Sequence, residues 1–130
     1  MRVGVVVCGA NAERGMLMER AVELYFKKYS DRVIQISACT VAPSPLILEM
    51  SGVKGEHSVA VNGCRNRCAD LIMNRSGVDP RVSVVMDDVV ERELGKCKSC
   101  TQFIFPDITE EEAAKMAEAI GQAIEEASKD

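Results

Sequence analysis

The feature that most limits what this chain can become is its alternation of short β-branched runs with longer amphipathic stretches. Residues 2–7, RVGVVV, form a valine-rich run that leads into Cys8-Gly9-Ala10-Asn11. From about Ala12 to Lys28, Met16, Leu17, Ala21, Leu24 and Tyr25 then recur near helical spacing. That is a strand, a tight turn and a helix. Arg32 to Ser37 reads as the second strand. Ser44-Pro45 supplies an N-cap with proline at the first helical position, opening a short helix to about Met50. Ser58 to Val61 is the third strand, ended by Asn62-Gly63. A helix from about Arg65 to Arg75 closes at Ser76-Gly77, and Arg81 to Met86 is the fourth strand. Asp87 to Leu94 reads as a short helix and Phe103 to Phe105 as an edge strand. Thr109-Glu110-Glu111-Glu112 is a capping box that starts a last amphipathic helix to about Ala127.

Strands alternating with helices pair in parallel, because each crossover returns the chain in the same direction and leaves its helix on a face of the sheet. The expected fold is therefore a three-layer open α/β sheet, mostly parallel, with helices on both faces in the Rossmann-like or flavodoxin-like manner. No repeat, low-complexity linker or composition break divides the chain, so residues 1–130 are expected to form a single domain. A chain of this length buries a sizeable core without disulfide staples. Its 6 cysteines therefore need another account.

The chain begins MRVGVVV, without a basic-then-apolar leader or a small-residue cleavage site. A cytoplasmic location is expected, and there clustered cysteines bind metal or do redox chemistry more often than they form structural disulfides. The apolar runs fall far short of the ~20 residues that span a bilayer. A formal net charge of -4 and the absence of Trp give no footing for nucleic acid. Neither membrane nor nucleic acid is expected as a partner, and no protein partner is specified.

In open α/β sheets, ligands sit outside the carboxyl ends of the strands, beside the point where strand order reverses. Cys8, Cys39 and Cys64 each fall within about two or three residues of a predicted strand end. If the first strand is central and the second and third flank it, these thiols face one crevice. Cys68, in the helix that follows the third strand, stands one turn beyond Cys64. Zinc held by thiolates needs sulfurs roughly 3.8 Å apart. Neighbouring strands are about 4.8 Å apart and the outer two about 10 Å, so loop freedom must close the gap. A helix N-terminus favours the thiolate form that metals bind, and Arg65 and Arg67 add positive potential. The expected metal ligands are Cys8, Cys39, Cys64 and Cys68. Cys97 and Cys100, in Cys-Lys-Ser-Cys, are secondary metal or redox candidates that could instead complete a zinc-ribbon-like site with Cys64 and Cys68. Four thiolates also suit an iron-sulfur cluster.

Other residues have plainer readings. A single cysteine at a strand end is more often packing than chemistry, and only the convergence argues otherwise. His57 is expected at a loop or strand edge. The methionines at 16, 18, 50, 73, 86 and 116 are expected to fill the core, and Glu110 to Glu112 to be a solvated first turn. Cys8 to Arg14 also has the Cys-x5-Arg spacing by which phosphatase and arsenate-reductase loops pair a thiolate with a phosphate-holding guanidinium. Against that stand Glu13, whose carboxylate would face the phosphate, and Gly15 in place of the usual Ser or Thr. No set of catalytic residues is assigned.

The segments CGA after the first strand, SACTVAP after the second, VNGCRNRCAD after the third, and then SGVDPRVSVVMDD together resemble the DGC-domain family. The likeness covers about the first 90 residues and is most specific from Gly63-Cys64 through Cys68-Ala69. It implies a zinc-binding protein whose four recurrent cysteines are Cys8, Cys39, Cys64 and Cys68 by position, with no established reaction. Asn62 stands where the Asp of the family's Asp-Gly-Cys motif is usual, which removes a negative charge beside the site. Cys97 and Cys100 lie outside the family's four.

Overall fold

Four strands, β1 (Val3–Cys8), β2 (Val33–Ser37), β3 (Ser58–Asn62) and β4 (Val82–Val85), pair in parallel in the order β2-β1-β3-β4. The structure is a computed structural model that describes residues 2–9, 12–44, 46–91 and 109–129. The expected α/β class holds: β1 is central, flanked by β2 and β3. Register fixes which side chains share a face. Val5 lies opposite Val59 and Val6 opposite Ala60, so alternate residues of neighbouring strands feed opposite sides of the sheet.

One side is covered by α1 (Ala12–Tyr29) and α6 (Glu110–Ala127). Leu17, Ala21 and Tyr25 of α1 and Met116, Ile120 and Ile124 of α6 bury against Val5, Val59, Val61 and Val84 of the strands. The other side carries α2 (Ala38–Val41), α3 (Leu46–Met50) and α4 (Cys68–Arg75), whose Ala38, Val41, Leu48, Ala69 and Met73 close over Val6 and Ala60. The Thr109 hydroxyl accepts from the Glu112 N–H while the Glu112 carboxylate accepts from the Thr109 N–H, so the capping box starts α6 where its sequence signature lies.

Several local expectations shift. The helix expected from Arg65 begins instead at Cys68, because Arg67 adopts the left-handed region, φ 54°, and ends the turn that precedes it. Residues 38–41 form a short helix that the periodicity does not mark. The helix expected from Asp87 begins one residue earlier, as α5 (Met86–Val89). Met18, Met73, Met86 and Met116 are buried as expected, but Met16 and Met50 are 45% and 83% exposed. Met50 ends the short α3, which presents Leu48 and, in part, Ile47 to the core. No described helix is long and apolar enough to cross a membrane. Phe103 to Phe105 lie outside the described residues.

Candidate functional site

The chain leaves β1 toward β2 but returns past it to β3, so strand order reverses between β1 and β3. The crevice outside their carboxyl ends is where an open α/β sheet receives a ligand. Cys8 is the last residue of β1 and pairs in register with Asn62, the last residue of β3. The next N–H, that of Gly63, donates to the Cys8 carbonyl at 2.8 Å and ties the two strand ends together.

The cysteines arrive there from three strand ends. Cys8 is half-buried and packs on the side of the sheet that carries α2, α3 and α4. Cys39 is exposed on α2, which packs against β1, β2 and α4. Cys64 follows Gly63 and is half-buried, and Cys68 is the half-buried first residue of α4. These two flank a turn closed by the Arg67 N–H donating to the Cys64 carbonyl at 3.2 Å, and so do not share a helix face as the sequence suggested. Cys39, Cys64 and Cys68 are free thiols. Among the described residues, no group of three or more His, Cys, Asp or Glu is gathered closely enough to hold a metal ion. The donor chemistry of the cysteines suits zinc or iron. Cys97 and Cys100 lie outside the described residues.

Beside the cysteines lies a polar network that periodicity does not reveal. Asn62 is 1% exposed. Its Oδ1 accepts from the Ala69 N–H at 3.0 Å, and its Nδ2 donates to Asp70 Oδ2 at 2.6 Å and to the Val84 carbonyl at 3.2 Å. The second Asp70 oxygen accepts from the Ser83 hydroxyl. Asn62 is legible in the sequence as a departure from the family motif. Its partners, on α4 and β4, are not.

Arg14, on the first turn of α1, is buried and donates through Nη1 to the Gly63 carbonyl at 2.8 Å and to the Asp87 carboxylate of α5. Arg65 reaches Asp87 as well and also its neighbour, standing 3.8 Å from Asp87 Oδ2 and 2.9 Å from Asp88 Oδ1. The guanidinium of the Cys-x5-Arg spacing thus rests on a carboxylate, and an incoming phosphate would have to displace that carboxylate. Arg65 likewise pairs with the acids of α5, so its share of the positive potential expected beside the thiols is partly compensated.

His57 lies away from this edge, in a single 3₁₀ turn (Gly55–His57). It stands at the edge of β3, as expected, but is buried there, and its Nδ1 lies 2.8 Å from the Ala127 carbonyl at the end of α6. A carbonyl only accepts, so Nδ1 carries the proton and the ring caps the helix. Farther off, Arg20 of α1 hydrogen-bonds Glu110 and Arg32, in the turn before β2, hydrogen-bonds Glu125, tying both segments to α6 and holding both carboxyl groups below their ordinary range.

Fold and site together define an α/β protein with an open parallel sheet and a cysteine-bearing carboxyl edge at its strand-order reversal. The family model of the DGC domain matches residues 4–121, nearly the whole chain. The chain belongs to the DGC-domain family. No curated protein and no solved structure matches it.

Proposed function

We propose that this protein binds zinc through the thiolates of Cys8, Cys39, Cys64 and Cys68 and works in the cytoplasm, where free thiols persist. The observation that most supports this reading is the delivery of a cysteine from each of three adjacent strand ends to one edge, with Cys68 opening the helix that packs beside them. Thiolates are the ligands structural zinc prefers, in a tetrahedral set of four. Because the donors are not already gathered, metal affinity and local folding are coupled: the free energy of binding includes the cost of bringing the thiolates together. Four thiolates make a closed, structural site, whereas three leave an open position from which zinc can act as a Lewis acid. On this reading neither nucleic acid nor membrane is a partner.

Metal analysis of protein purified without added metal tests the proposal. About one zinc per chain is expected for a four-thiolate site. It should be lost in Cys39→Ser and Cys68→Ser and kept in Cys97→Ser. Loss in Cys97→Ser but not in Cys39→Ser would reassign the ligands to the Cys97/Cys100 pair. A brown anaerobic preparation with charge-transfer absorption would replace zinc by an iron-sulfur cluster. Metal-free wild-type protein that takes up neither metal would end the reading.

A further inference from the structure

We infer that Asn62 is the positioning residue that sets Cys68 against Cys64, and that it does so as the neutral half of a matched pair with Asp70. The inference rests on the zinc reading for its consequence but not for its geometry. The first N–H groups of a helix have no partner within it and are normally met by the N-cap side chain. At α4 the N-cap is Arg67, which offers no side-chain cap. Asn62, at the end of β3, takes that role from outside the helix by accepting from the Ala69 N–H. The turn that carries Cys64 therefore leaves β3 directly after Asn62 and returns to the same side chain one residue after Cys68.

The polarity of the amide is fixed by what surrounds it. Its oxygen faces a donor, the Ala69 N–H, while its nitrogen faces two acceptors, Asp70 Oδ2 and the Val84 carbonyl. An Asp at position 62 still has an oxygen for the first contact, but the repulsion on its other side would push it away from the Ala69 N–H. That other side would set a carboxylate oxygen against the Asp70 carboxylate, where like charges repel, and against a carbonyl that cannot donate. Changing Asp70 to Asn at the same time would reverse the 62–70 hydrogen bond and remove the repulsion, leaving only the Val84 carbonyl without its donor.

The test compares wild type, Asn62→Asp, Asp70→Asn and the double variant by zinc competition against a chromophoric chelator. Hydrogen exchange of the Ala69 amide is measured in the metal-free chains. Asn62→Asp should weaken zinc binding by at least about tenfold, the scale of disturbing a group that orients a metal ligand, and should expose the Ala69 amide to faster exchange. The double variant should recover most of both. Zinc affinity in Asn62→Asp within about twofold of wild type, well below that scale, would overturn the positioning role. A double variant no better than Asn62→Asp would overturn the matched pair. If Asn62→Asp does not fold, recovery of a folded, zinc-competent double variant supports the pair and its failure overturns it. If wild type takes no zinc, the metal reading fails separately and Ala69 exchange decides alone: unchanged protection in Asn62→Asp overturns the inference, and lost protection upholds it.

Discussion

Gly63 lies so close to Cys8 that a Cβ at position 63 would stand 2.9 Å from the Cys8 carbonyl and 2.7 Å from that of Gly9. The glycine is required here for space and not for a left-handed backbone, since the described glycines with positive φ are Gly52 and Gly77. The obstructing atoms are backbone and cannot turn away. Gly63→Ala should therefore force the ends of β1 and β3 apart and cost about 1–3 kcal/mol, read from urea unfolding. On the zinc reading, zinc content should fall with it, because Cys8 and Cys64 ride on the two displaced segments.

Arg67 is the sole described non-glycine residue with positive φ. A side chain in that region costs roughly 1–2 kcal/mol against the ordinary basins. Arg67→Gly should raise stability by up to about 1 kcal/mol, part of the relief being offset by the greater freedom of glycine in the unfolded chain. Arg67→Val should lower it by about 1 kcal/mol or more, because a β-branched residue fits that region worst. Thermal unfolding of the two variants checks the opposite signs.

Asp87 separates two kinds of ion pair. Arg14 is buried, so Asp87→Ala removes the carboxylate that balances its charge there and should cost about 3 kcal/mol. Arg65 has a side chain 67% exposed, and Arg65→Ala should cost under about 1 kcal/mol. Equal losses in chemical denaturation would show that the two arginines share the load. No Cys8-dependent hydrolysis of p-nitrophenyl phosphate is expected from wild type, since Arg14 rests on a carboxylate.

Burial pushes the Tyr25 phenol above its ordinary value, and its hydroxyl donates to Gln35. A group that holds its proton more tightly when folded contributes its full stability below the unfolded value, about 10 for tyrosine, and loses it as pH rises beyond that. Stability should therefore decline above about pH 10. Tyr25→Phe should flatten that decline, and at neutral pH should cost about 1 kcal/mol for the lost hydrogen bond. Unfolding curves at a series of alkaline pH values give both quantities.

Much of the frame is legible in the sequence because it rests on neighbours in the chain. Valine runs with helical stretches between them make a parallel sheet, and the Thr109 box starts α6 by contacts three residues apart. The strand ends locate Cys8, Cys39 and Cys64 at one edge for the same reason. The start of α4 is not legible: arginine carries no signal for a left-handed backbone, so a helix pattern from Arg65 runs through the turn that Arg67 closes.

The amino-acid sequence by itself determined the α/β class, the sheet edge on which Cys8, Cys39 and Cys64 fall and the family, all consequences of local periodicity and of short motifs. Tertiary structure decided how that edge is built. Arg14 meets Asp87 across 73 residues and His57 meets Ala127 across 70. Asn62 finds the Val84 carbonyl 22 residues on. Each is a polar group that burial obliges to find a partner, and the partner is whichever group the packed sheet and helices bring within reach.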